Sequence, residues 1–127
     1  MKKEAIVTGK VFPPRGAYSH GVRAGNLLFV AGQVARDGEG RTVGIGNAEA
    51  QAEQAMKNIA AILEAAGATF DNVVKLNVYL TNMEDREAVG RVRRRFMREP
   101  FPASTSVQVV ALAEPELLVE IEAVAAV

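Results

Sequence analysis

Two glutamates two residues apart, Glu120 and Glu122, sit in a stretch that alternates as a strand does. Both carboxylates share a face with Leu118, while Leu117, Val119, Ile121 and Ala123 point the opposite way. A carboxylate half-buried on such a strand is disfavoured in its charged form and becomes a stronger base, suited to activating or positioning water. A second alternating stretch, Ala103 to Val109, puts Ser104, Ser106 and Gln108 on one face and Ala103, Thr105, Val107 and Val109 on the other. The face carrying hydroxyls and carboxylates is too polar for a core, and function is expected there. His20 is the one side chain whose unperturbed pKa is near neutrality. Ser104, His20 and Glu120 are the residue types of a nucleophilic triad, but their spacing does not support one, and a structural histidine is the better expectation. Tyr18 offers an aromatic wall to a cleft or an interface. Gly32, at the end of an apolar run, suggests close approach to the backbone.

The elements that must hold these residues follow from periodicity. The two alternating stretches, joined by Ala113-Glu114-Pro115-Glu116, are expected to form a closing hairpin. Ala5 to Thr8 is a short strand candidate. Tyr18 to Val22 leads through Ala24-Gly25-Asn26 into Leu27 to Gln33, a hairpin whose second strand is expected to be buried on both faces. Asn47 can cap a helix bearing the stripe Ala48, Ala52, Ala55, Met56, Ile59, Ile62, Leu63 and Ala66, closed by Gly67. Val73 to Leu80 is a strand with Val74, Leu76, Val78 and Leu80 on one face and Lys75, Asn77 and Tyr79 on the other. Asn82 and Asp85 can start a second helix that buries Val89, Val92 and Phe96 and is stopped by Pro100. Two helices cover only one face of the sheet, so its other face is expected to meet further subunits.

Composition bounds the rest. A length of 127 residues suits one domain spanning 1–127, able to bury about two thirds of its unfolded surface. Zero cysteines exclude disulfides and a thiolate nucleophile, and one histidine argues against a histidine-built metal site. Fifteen basic and fifteen acidic residues balance, which disfavours nucleic acid or membrane as a partner. Arg91, Arg94, Arg95 and Arg98 form one basic stripe that could meet RNA phosphates; without aromatic platforms it reads better as a solvated helix face. With no apolar span and no cleavable leader pattern in the opening residues, a cytoplasmic location is expected.

Several stretches together resemble the Rid family, the reactive intermediate deaminases also called YjgF proteins. They are Ala17-Tyr18-Ser19-His20-Gly21-Val22, Leu28-Phe29-Val30-Ala31-Gly32-Gln33, Asn58-Ile59 through Glu64-Ala65-Ala66-Gly67, Val73 to Leu80, Phe101-Pro102-Ala103 and Val119 to Ala125. The resemblance implies a chorismate-mutase-like α+β fold, a mixed six-stranded sheet with two helices on one face, assembled as a homotrimer with clefts between subunits. It further implies hydrolysis of enamines and imines to keto acids and ammonia, without a cofactor. By the same resemblance Tyr18 is a cleft wall, the Gly32 backbone contacts the reacting group, and Glu120 orients the attacking water. Ala31 stands where the family carries a small hydroxyl residue, and Gly90 where it carries an asparagine. The family's carboxylate-clamping arginine after Pro-Ala is Ser104 here, and a cysteine two residues on is Ser106. A serine cannot supply the bidentate charge of a guanidinium. The resemblance is therefore to a branch lacking that arginine, with altered or reduced activity. The alternative is a non-catalytic trimer that binds a small molecule or a partner, and RNA binding or endoribonuclease activity is a more distant third.

Overall fold

The computed structural model describes residues 2–127. Its elements are β1 (Lys3–Ile6), β2 (Gly21–Ala24), β3 (Leu27–Gln33), α1 (Ala48–Ala65), β4 (Val73–Leu80), α2 (Arg86–Phe96), β5 (Ala103–Gln108) and β6 (Val119–Ala126). The six strands form one mixed sheet in the order β1-β2-β3-β6-β4-β5, with α1 and α2 on one face. β4 and β5 run parallel, linked by the α2 crossover, and every other pairing is antiparallel. This is the expected α+β architecture.

The helix ends are set by local chemistry. Asn47 caps α1, its side-chain oxygen accepting from the Ala50 amide at 3.0 Å. Gly67 closes the helix at φ +77°, while the Ala68 amide donates to the Leu63 carbonyl at 2.9 Å. Ala52, Ala55, Met56, Ile59, Ile62 and Leu63 are fully buried, and the alanines let α1 lie close to the sheet. Burying a side chain such as Ile59 or Leu63 contributes about 1.5–3 kcal/mol. Leu28, Val30, Leu76, Val78, Leu80, Val119, Ile121 and Ala123 supply the sheet's side of this core. Asn82 caps a 3₁₀ turn, Met83–Asp85, that leads into α2, so that helix starts later than Asn82 suggested.

The closing hairpin does not form. β6 pairs with β3 and β4, and β4 stands between β5 and β6. Alternation marks a strand but not its neighbour, and the connection 109–118 is long enough to step over one strand. The two faces of β5 are also the reverse of those expected. Ser104, Ser106 and Gln108 lie opposite Leu76, Val78 and Leu80 on the helix side, while Thr105 and Val107 lie beside Asn77 and Tyr79 on the uncovered side. A strand with hydroxyls on both faces carries too little polarity contrast to orient itself. In β4 the extra residue of a bulge is Val74, which is 48% exposed, and Val73 takes its place in the core. β3 is buried on one face only: Leu27 and Phe29 are 37% and 44% exposed. The first strand falls at Lys3–Ile6 rather than Ala5 to Thr8, paired with β2, whose strand starts only at Gly21.

Gln51 is the polar keystone under the sheet. It is fully buried, its amide donates to the carbonyls of Glu116 (2.9 Å) and Gly44 (3.2 Å), and its oxygen accepts from the Leu118 amide (2.8 Å). These bonds hold the chain as it enters β6. Gln51→Leu strands three backbone groups and is expected to cost about 2–4 kcal/mol. Urea denaturation reads this as a lowered midpoint; an unchanged midpoint would refute the role.

Candidate functional site

A second bulge shapes the site. In β3 Val30 faces Ala123 and Gln33 faces Ile121, so Ala31 and Gly32 together oppose the single residue Glu122. There the backbone turns towards β6, and Glu120 lies across it. A Cβ built on Gly32 would sit 2.1 Å from Glu120 Oε2 and 2.7 Å from its Cδ. The close approach expected at Gly32 is thus made by a carboxylate, and only glycine leaves room for it.

The two carboxylates of β6 have different surroundings. Glu122 accepts hydrogen bonds from the Tyr79 hydroxyl and, at 3.4 Å, from the Asn77 side-chain amide. That contact, more than burial, raises the Tyr79 pKa. Glu120 is half-buried and has no hydrogen-bond partner among the described residues. Burial first, and the charge of Glu122 second, push its pKa above the ordinary 4.5. Glu120 is therefore free to act as a base, while hydrogen bonds hold its neighbour Glu122 in place. Paired acids in unlike environments can divide tasks in this way.

Beside the bulge, Tyr18 and Gly32 line one small cavity together with His20, Gln33 and Arg36. Tyr18 is 53% exposed and meets His20 edge-on at 5.8 Å. His20 donates from Nε2 to the Phe12 carbonyl at 2.7 Å and accepts at Nδ1 from the Gln33 amide at 3.1 Å. Both ring nitrogens are occupied, so His20 is a structural strut and forms no triad with a serine. Ala31, its amide bonded to the His20 carbonyl at 2.8 Å, lines a depression of about 380 Å3 on the uncovered face with Phe29, Lys75, Asn77 and Glu122.

Ser104 and Ser106 lie elsewhere. Ser106 lines a cavity between β4, β5 and α2, and the Ser104 hydroxyl accepts from Arg93 Nη2 at 2.8 Å. The sequence candidates fall into two groups: Tyr18, Ala31, Gly32 and Glu120 at the β3–β6 bulge, and the two serines on the other side of the sheet. Arg93 belongs to the second group and was missed in the sequence. Its signal is position: it lies four residues after Val89, in register with the apolar stripe. The expected basic stripe is mostly neutralised, since Arg91 and Arg95 pair with Glu49 at 3.1 and 2.7 Å and Arg98 with Asp71 at 2.6 Å. That leaves little free charge for a nucleic-acid backbone. Among the described residues no group of acids and histidines could hold a metal ion, and no helix is long and apolar enough to cross a membrane.

A six-stranded mixed sheet with two helices on one face, and a free carboxylate against a glycine bulge on the other, defines a small α+β protein. Residues 8–127 match the family model described as Endoribonuclease L-PSP, and the chain belongs to that family, the RidA/YjgF proteins. It is 39% identical to a RutC family protein of Pyrococcus abyssi over 98% of both chains. It is 38% identical to the human 2-iminobutanoate/2-iminopropanoate deaminase, covering 97% of this chain and 89% of that one. The crystal structure of RidA from the Antarctic bacterium Psychrobacter sp. superposes with a TM-score of 0.92 at 38% identity, covering 98% of this chain and 99% of that one.

Proposed function

We propose that this protein hydrolyses small imines or enamines to carbonyl compounds and ammonia, in clefts between the subunits of a homotrimer. The observation that carries this is Glu120: a half-buried, unpartnered carboxylate, raised in pKa, against the Gly32 backbone. In the proposed reaction Glu120 takes a proton from water as the water oxygen bonds to the imine carbon, and the C=N π pair becomes an amine lone pair. That proton passes to the nitrogen, giving a carbinolamine; Glu120 then takes the hydroxyl proton and hands it to the nitrogen as the C–N bond breaks, so ammonia departs with the C–N pair and a carbonyl group remains. The Gly32 backbone holds the polarised group, and Tyr18 walls the cleft. The similarity to the human imine deaminase supports this substrate class.

The same geometry supports the assembly. Phe29, Val107 and Val74 are 44%, 39% and 48% exposed on or beside the uncovered face, more apolar surface than a lone protomer gains by exposing. Glu120 and the serine cavity also point to opposite sides of one sheet, so they can meet one molecule only across a subunit boundary. Light scattering at micromolar concentration is expected to give three times the protomer mass; a monomer would remove the cleft. The test of activity is keto-acid formation from 2-iminopropanoate generated in situ by a serine dehydratase. Acceleration over the uncatalysed rate is expected. None, with a thermal shift on ligand addition, would favour the second reading, a binding trimer without turnover, for which the observation is Ser104 in place of a clamping arginine.

A further inference from the structure

We infer that the cavity between α2 and β5 is a carboxylate site in which Arg93, presented by the helix, is the recognising cation. If the hydrolase reading holds, on which this part rests, the substrates are small 2-imino acids. The cavity measures about 480 Å3, floored by Val78 and Leu80 and walled by Arg93, Arg94 and Ser106. Its lining includes one acid, Glu87, against four arginines. The other arginines of the helix end are spoken for, since Arg91, Arg95 and Arg98 each meet an acid. Arg93 and Arg94 have no acidic partner among the described residues.

Arg93 uses one of its five N–H donors, on the Ser104 hydroxyl at 2.8 Å. That bond steers the guanidinium to the strand position where a serine side chain brings no charge. The remaining donors keep the planar fork that fits a carboxylate. Burial first, and the Arg94 charge second, push the Arg93 pKa down, so the cation sits partly desolvated beside a like charge with nothing to compensate it. A bound anion relieves both penalties. The wall also has a gap. Gly90 lines the cavity one turn before Arg93, and a Cβ built there would meet nothing within 4 Å. Glycine weakens a helix interior relative to alanine, and no packing contact explains it here.

The test compares binding of 2-oxobutanoate with that of its neutral isostere 2-oxobutanamide, by calorimetry on the full protein. Wild type is expected to prefer the carboxylate by about tenfold or more, as a charged bidentate pair would give. Arg93→Gln should abolish the preference, Arg93→Lys should restore part of it, and Arg93→Gln/Ser104→Arg should restore it fully. A preference that survives Arg93→Gln overturns the proposal, as does tighter binding of inorganic phosphate than of 2-oxobutanoate. If Arg93→Gln melts early, protection of Arg93 from phenylglyoxal by 2-oxobutanoate replaces it, and no protection overturns the site. Turnover of 2-iminopropanoate separates the two levels. Turnover unaffected by Arg93→Gln refutes the site and leaves the hydrolase. An Arg93-dependent preference without turnover refutes the hydrolase and leaves the site.

Discussion

Glu120→Gln is expected to lower imine hydrolysis by about a hundredfold or more, the contribution of a positioned general base, without lowering the melting temperature. The amide keeps the shape of the side chain but cannot take a proton from water. Stability should hold because the carboxylate is costly where it lies. Its pKa is raised in the fold, by burial and then by Glu122, so the folded chain binds that proton more tightly than the unfolded chain. Ionisation of Glu120 therefore opposes folding. Stability is lost as pH rises from the ordinary 4.5 through the raised value, and the glutamine variant escapes that loss. At neutral pH the variant should melt at or above wild type. The rate profile carries the same sign. Activity needs the ionised form, so kcat/KM should fall on the acid side with a midpoint above 4.5. Glu122→Gln removes the like charge and should move that midpoint down. An acid limb at or below 4.5, or a glutamine variant with full activity, would refute the role of Glu120.

Much of the frame that holds Glu120 was readable from residue types. The alternation of β6 placed Glu120 and Glu122 on the face away from the core, as they are. Asn47 and Gly67 marked both ends of α1 because a cap needs a side-chain acceptor and a left-handed residue, and few residue types supply either. What stayed hidden depends on contacts between distant segments. Nothing in Ala103 to Gln108 tells which strand it will lie beside, and its hydroxyls suit either face. The bulge that expels Val74 depends on the pairing register with β6, which no local pattern encodes. The site divides along the same line. Gly32 announced a close approach, but the partner, 88 positions later, appears only when β3 and β6 are paired. Arg93 was hidden by its company among five arginines of one helix end. Only its bond to Ser104 distinguishes it.

Gly32→Ala should also separate activity from stability, and without replacing the carboxylate itself. The added methyl would fall 2.1 Å from Glu120 Oε2, 2.7 Å from Cδ and 3.0 Å from Cγ. All three atoms belong to one flexible side chain, and Glu120 has no hydrogen bond among the described residues to hold it back. Gly32 is also not among the positive-φ glycines, so alanine can adopt its backbone. The clash is therefore relieved by swinging the carboxylate away, at a cost of about 1 kcal/mol or less in stability. For catalysis that swing amounts to removing the base. A general base must lie within hydrogen-bond reach of its proton, and a displacement of about 1 Å can cost on the order of a hundredfold in rate. The decisive measurement is a double-mutant cycle. If Gly32 acts by seating Glu120, Gly32→Ala lowers kcat/KM strongly in the wild-type background and hardly at all in Glu120→Gln. The two losses then fail to add because both remove the same group. Fully additive losses would mean that the Gly32 backbone serves the substrate independently of the carboxylate. A Gly32→Ala variant with unchanged kcat/KM would mean that the position of Glu120 against the bulge has no bearing on the chemistry.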